Sequence, residues 1–179
     1  MSISNCKLVS IIVPCYNSVR YIQHAVESAC NQDYANYEVV VVDNASTDGT
    51  TELLRKLLNK LNFKLYINEE NLGAIVNFNN AIEYSNGDFI KFLESDDILE
   101  ENCLSIMMKY VTDNVNIVCG AKTLIDENSN IIGFHDVSHK LVDGKKILKK
   151  FRRSGNIIGT PTDCLVLKDL LDKVGGFSN

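Results

Sequence analysis

Two β-rich runs constrain this chain more than any other feature: Leu8-Val9-Ser10-Ile11-Ile12-Val13 and Tyr37-Glu38-Val39-Val40-Val41-Val42. Each is nearly continuous in apolar residues and lacks the alternation of a strand with one wet face, so each reads as a strand covered on both sides. Between them Tyr21, Ile22, Ala25, Val26 and Ala29 recur at helical spacing, after Asn17 or Ser18 as a candidate cap. Strand, helix and second buried strand make a βαβ unit, which commits the chain to a parallel pair.

The alternation continues. Asn44-Ala45-Ser46-Thr47-Asp48-Gly49-Thr50 is turn and cap chemistry opening a helix with Leu53, Leu54, Leu57, Leu58 and Leu61 on its apolar face. A third strand over Phe63–Ile67 leads through Asn68-Glu69-Glu70-Asn71-Leu72-Gly73 to a helix ending near Tyr84, and a fourth strand follows Gly87. Beyond it the pattern predicts a helix over 100–112, a strand over Val115–Cys119, shorter β pieces near 121–126 and 131–134, a helix near 143–153 and a strand at Cys164–Leu167. The fold class is α/β, an open, mainly parallel Rossmann-like sheet with helices on both faces. A length of 179 residues, 45% of them apolar, supplies one core, so 1–179 reads as a single domain.

Composition removes several function classes. A net charge of −5 with scattered basic residues argues against nucleic acid as a partner. The exception is Lys145-Lys146, Lys149-Lys150 and Arg152-Arg153, a run interleaved with Ile147, Leu148 and Phe151; it reads as an ordinary helix with a solvated basic face, ahead of an anion or membrane-surface patch. Cysteines 6, 15, 30, 103, 119 and 164 lack the paired spacing of zinc or redox sites and read as reduced core residues. His135 and His139 stand at a helical metal spacing, but Gly133 and Ser138 weaken a helix there and no third ligand is evident. Neither a leader nor a membrane span is evident, so the expected location is cytoplasmic.

In open α/β sheets ligands bind beyond the carboxyl ends of the strands. Those ends here are Pro14-Cys15-Tyr16-Asn17, Asp43-Asn44 and Glu94-Ser95-Asp96-Asp97. A Tyr can stack on a base, an Asp can accept from a base N–H, and crowded carboxylates can hold a divalent cation against a diphosphate. Together they describe a nucleotide-diphosphate site. Each piece also has a bland reading, since Asn17, Asp43 and Asp48 suit turns and Asp96-Asp97 suits a helix N-terminus. Neither the G-x-G-x-x-G fingerprint nor the G-x-x-x-x-G-K-[ST] loop is present, which leaves Mg²⁺ or Mn²⁺ as the device to neutralise phosphates.

Val9-Ser10-Ile11-Ile12-Val13-Pro14-Cys15-Tyr16-Asn17, Val41-Val42-Asp43-Asn44-Ala45-Ser46-Thr47-Asp48-Gly49-Thr50, Asn71-Leu72-Gly73 and Gly87-Asp88-Phe89-Ile90-Lys91-Phe92-Leu93-Glu94-Ser95-Asp96-Asp97, with Gly175-Gly176-Phe177 near the end, resemble a family 2 glycosyltransferase of the GT-A fold. The resemblance implies that Pro14, Tyr16, Asn17 and Asp43 surround a nucleoside, most often uridine, and that Asn71 and Gly73 lie along its far side. It implies that Asp96 meets the ribose and that Asp97, with Asp96 and less strongly Glu94, holds the metal. The chemistry implied is inverting transfer from a nucleotide-diphosphate sugar, typically a UDP-sugar, to a saccharide, lipid-linked or protein acceptor in surface-glycan synthesis, with peripheral association at the inner face of the membrane open to the whole protein.

Three departures qualify the resemblance. Glu94 stands where many relatives carry Asp, Asn44 replaces a frequent second Asp, and the general base expected beyond the Gly-Gly-Phe turn would lie past Asn179. The chain is therefore expected to be the donor-binding part of a longer enzyme, with 1–120 the nucleotide-sugar half and 121–179 the start of the acceptor half. The alternatives are a nucleotide-sugar-binding module without turnover, and a sugar nucleotidyltransferase, which would need a Gly-rich basic loop that residues 14–20 lack.

Overall fold

The computed structural model describes residues 7–136, 141–156 and 158–178, apart from the side chain of Ser154. In chain order the elements are β1 (Val9–Cys15), α1 (Ile22–Cys30), β2 (Tyr37–Asp43), α2 (Thr50–Leu57), β3 (Lys64–Ile67), α3 (Ala74–Glu83) and β4 (Phe89–Phe92). There follow α4 (Cys103–Met108), β5 (Ile117–Cys119), β6 (Lys122–Ile125), β7 (Ile131–His135), α5 (Gly144–Ser154), β8 (Cys164–Leu167) and α6 (Lys168–Val174).

Six strands form one sheet in the order β3-β2-β1-β4-β8-β5, and β6 and β7 form a separate antiparallel hairpin. The first four strands are parallel, with Val9 opposite Tyr37, Cys15 opposite Asp43 and Ile12 opposite Phe92. Alternate residues of the two apolar runs point to opposite faces, which is why both runs are continuous. Ile11, Val13, Val39 and Val41 pack with α1, α2 and α4, whereas Ile12, Val40 and Val42 pack with Ala81 and Ile82 of α3 and with Ile90 and Phe92. Each such fully buried side chain contributes about 1.5–3 kcal/mol of transfer free energy.

The structure corrects several sequence expectations. Helix α1 begins at Ile22 without a side-chain cap, because Asn17 has a left-handed φ of 50° and its amide is committed to the next loop. The helix expected over 100–112 shrinks to Cys103–Met108, and β5 begins at Ile117 rather than Val115. Strand β8 is antiparallel to both neighbours, since the chain leaves the sheet after β5, makes the β6–β7 hairpin and α5, and re-enters between β4 and β5 from the opposite end. His135 lies in β7, where a spacing of four is not a helical face, and His139 lies outside the described residues. Of the five described cysteines, all free, only Cys15 and Cys164 are buried, and Cys30, Cys103 and Cys119 are half-buried.

The Gly-Gly-Phe turn has a physical basis. Gly175 and Gly176 both adopt left-handed φ (79° and 72°), and the turn ends α6 as Gly176 N donates to Leu171 O. Asn79 of α3 then clamps Phe177 by accepting from its N and donating to its O, while the Phe177 ring sits edge-on to Phe78 and Phe92.

Candidate functional site

Strand order reverses at β1, whose neighbours β2 and β4 lead away on opposite sides, and such a switch point opens a crevice at the carboxyl edge. A cleft of about 250 Å³ lies there, lined by Pro14, Cys15, Tyr16, Asn44, Asn71, Gly73, Ala74, Asn77 and Phe78. Pro14, Tyr16, Asn71 and Gly73 of the predicted set line it; Asn17, Asp43, Glu94, Asp96 and Asp97 do not.

One wall is a cluster of amides. Asn44, 2% exposed, donates through Nδ2 to Asn71 Oδ1 (2.8 Å) and accepts on Oδ1 from Asn68 Nδ2 (2.9 Å) and Leu72 N (3.0 Å). Asn77, 3% exposed, donates to Val42 O (3.1 Å) and Cys15 O (3.5 Å) and accepts from Asn68 Nδ2 (2.9 Å). Four asparagines thus tie the ends of β1, β2 and β3 to the start of α3. Gly73 enters that helix at φ 81°, ψ 161°, a region essentially closed to residues with a Cβ. Sequence reading singled out Asn71 and Gly73 but not Asn68 or Asn77, and it treated Asn44 only as a departure from the family's pattern. A run of asparagines around a turn reads as loop chemistry; the helical placement of Asn77 among apolar positions was the available signal.

The loops after β1 and β2 are stitched together. Asn17 Oδ1 accepts from Thr47 N (2.8 Å), Ser18 N donates to Thr50 Oγ1 (2.8 Å) and Val19 N donates to Asp48 Oδ2 (3.0 Å). Asp43 lies fully buried beneath them, and its carboxylate accepts from Ser46 Oγ, Ser46 N and Thr51 Oγ1. Tyr16, 45% exposed, stands at the cleft mouth.

The loop after β4 joins through Ser95, whose Oγ lies 2.7 Å from Ser18 Oγ. Glu94-Ser95-Asp96-Asp97 is a tight turn closed by Asp97 N donating to Glu94 O (3.0 Å). The next helix starts only at Cys103, so the acids are not its cap. Asp96 is exposed and Asp97 half-buried. Glu94 is engaged with Thr162: its Oε2 accepts from Thr162 Oγ1 (3.3 Å) and its N donates to the same hydroxyl (2.9 Å). Burial, and then the charge of Asp97, push the Glu94 carboxyl above the usual glutamate range.

Among the described residues no group of three His, Cys, Asp or Glu side chains is arranged to hold a metal ion. Mg²⁺-type sites commonly use one or two carboxylates and take further oxygens from substrate phosphates, and the Asp96-Asp97 turn fits that donor set. Behind it lies Lys91, 1% exposed, whose Nζ donates to Phe92 O (3.2 Å) and to Thr162 O. Burial holds its ammonium below the usual lysine range, against the pull of anionic groups that include Asp163 and Asp97. Lys91 therefore ties the end of β4, just before the acidic turn, to Thr162 from inside the sheet, a role that a lone Lys in an apolar strand did not announce.

A mostly parallel open sheet, with helices on both faces and a polar cleft at its switch point, is the GT-A architecture. The chain belongs to glycosyl transferase family 2, whose model matches residues 10–175. The glucosyltransferase WfgD of Escherichia coli, which uses UDP-Glc and a GlcNAc-diphosphoundecaprenol, is 35% identical over 79% of the chain and 55% of its own length. The S. aureus TarS 1–349 structure in complex with UDP is 28% identical, with a TM-score of 0.68 over 93% of this chain and 48% of that one. Pyrobaculum calidifontis mannosyltransferase PcManGT, solved with GDP-Man and Mn²⁺, shares the fold at 22% identity, with a TM-score of 0.69 over 95% of this chain and 47% of that one. The chain spans 42–60% of the length of four curated relatives it matches and 15–19% of four longer ones.

Proposed function

We propose that this domain binds a nucleotide-diphosphate sugar, with UDP as its nucleotide, and that the whole protein transfers the sugar to an acceptor hydroxyl with inversion, in the synthesis of a surface polysaccharide or glycoconjugate. The observation that carries the reading is the convergence, at one sheet edge, of an aromatic mouth, an amide-lined cleft and an acidic turn. The cleft accepts a planar base beside Tyr16, Pro14 and Asn71, and Gly73 lets backbone approach where a Cβ would force the chain away. Asn17 holds the rim by fixing the 44–50 loop. Asp43 contributes a base contact if Ser46 yields its place, since its oxygens are otherwise taken by Ser46 and Thr51.

Asp97 and Asp96 are the residues that would hold a divalent metal, with Asp96 also reaching the ribose. Bound there, Mn²⁺ or Mg²⁺ would stabilise the negative charge that develops on a diphosphate leaving group. Glu94 anchors the turn on the Thr162 hydroxyl, and Lys91 holds the strand end that precedes it against the Thr162 carbonyl. Residues 1–120 form the donor half on this reading, and 121–179 begin the acceptor half.

Calorimetric titration with UDP, GDP, CDP and dTDP, with and without Mn²⁺, tests the proposal. Manganese-dependent preference for UDP supports it, and preference for another diphosphate replaces the nucleotide. Absence of binding to all four by folded protein refutes it. UDP-sugar hydrolysis on the same sample separates turnover from a binding module.

A further inference from the structure

Helix α5 sorts its side chains by kind. At about 100° per residue, Lys145, Lys146, Lys149, Lys150, Arg152 and Arg153 fall on one continuous arc of about 160°, and Ile147, Leu148 and Phe151 fall on an opposing arc of about 100°. The helix is capped locally: Asp143 Oδ1 accepts from Lys145 N at 2.9 Å, and Gly155 follows at φ 74° with its N donating to Phe151 O. Among the described residues α5 contributes to neither core cluster. Leu148 is 54% and Phe151 42% exposed, and Leu141, just before the cap, is 83% exposed.

Charge decides what such a surface fits. Six of the chain's 18 basic residues and none of its 23 acids fall in these eleven positions. Outside α5 the chain carries 12 basic and 23 acidic residues, so α5 is its strongest concentration of positive charge and the segment an anionic surface would attract most. A nucleic acid would satisfy the charge and leave the apolar arc in water; an anionic lipid surface satisfies both, taking the apolar arc into the boundary between headgroups and acyl chains while the basic arc pairs with phosphates.

We propose that α5, with Leu141 and Val142, docks the protein on an anionic phospholipid bilayer. The inference is independent of the nucleotide site, because it uses no residue of the cleft or the acidic turn.

Co-sedimentation of the chain with phosphatidylcholine vesicles, with or without phosphatidylglycerol, at low and high salt, tests it. The expected result is binding that needs phosphatidylglycerol and weakens with salt. Lys149→Glu/Arg152→Glu should reduce partition at least about tenfold, since each basic residue near an anionic surface strengthens it about fivefold. Leu148→Ser/Phe151→Ser should reduce it about tenfold as well, because apolar area no longer enters the bilayer. Both variants should keep the thermal unfolding of the parent. Absence of binding to phosphatidylglycerol vesicles, or binding unchanged in the charge variant, overturns the proposal. Retention by the apolar variant overturns it in favour of a simple anion patch. A dimeric parent made monomeric by Leu148→Ser/Phe151→Ser overturns it in favour of a second copy.

Discussion

Asn77→Asp is the sharpest test of the amide cluster, because it changes one NH₂ group to oxygen and almost nothing in volume. Asn77 is 3% exposed; its Nδ2 donates to Val42 O at 3.1 Å and Cys15 O at 3.5 Å, and its Oδ1 accepts from Asn68. The substitution removes both donated bonds and faces a carboxylate with two carbonyl oxygens. Cys15 O keeps the bond from Asn44 N at 2.9 Å, so the loss falls mainly on Val42 O and on the buried charge. A lost buried bond costs about 1–3 kcal/mol, and the charge adds to it unless the carboxyl is protonated at a further ~1.4 kcal/mol per pH unit of raised pKa. About 3 kcal/mol at pH 7.5 is expected, a fall in Tm of roughly 6–12 °C for a domain of this size. The new acid has a folded pKa raised by burial, so the deficit must shrink as pH falls through that pKa. Circular dichroism melts at pH 7.5 and 5 measure both. A variant as stable as the parent at pH 7.5, or one whose deficit grows on acidification, would show that the amide does not donate to these carbonyls.

Further outcomes can be checked on the same protein. Asp97→Asn should lower manganese-dependent UDP affinity at least about tenfold while leaving the melt unchanged, since a half-buried turn acid contributes little to the core; calorimetry with and without Mn²⁺ reads the difference. Gly73→Ala should cost about 1–3 kcal/mol of stability through its φ of 81° alone, with open space around the added Cβ, and should weaken UDP binding. For Glu38, burial works against ionisation, but Lys64 at 2.6 Å, Ser10 and Asn86 outweigh it and hold the carboxyl below the usual glutamate range. Its folded pKa being depressed, Glu38→Gln should lose up to about 1 kcal/mol at pH 7, discounted for the exposed Lys64, and the gap should close as pH falls below the ordinary glutamate range. Melts across pH 3–7 would expose an error of sign.

The parallel half of the fold was legible because its signals are local and redundant. Val39–Val42 can sit only where both faces are covered, and Asp43-Asn44 and Glu94–Asp97 mark strand ends by abrupt polarity. The antiparallel β8 was not legible: Cys164–Leu167 is apolar in either direction, and its orientation depends on the path through the β6–β7 hairpin. Lys91 and Asn77 were missed for a related reason. A polar residue in an apolar element gains meaning from carbonyls far away in sequence, Thr162 O for one and Val42 O for the other. The position of Glu94 was anticipated, but its engagement with Thr162 was not, since no spacing rule links residues 68 apart.

The insertion of β8 between β4 and β5 also dictates an order of assembly. Every pairing of β1 to β4 lies within the first hundred residues, so that sheet can close while the rest of the chain is still being synthesised. Among the described strands β5 pairs only with β8, and it stays without a ladder until residues 164–167 arrive. During that interval the free edge of β4 is a template for a neighbouring nascent chain, and β8, the last of the described strands to emerge, is the one that covers it.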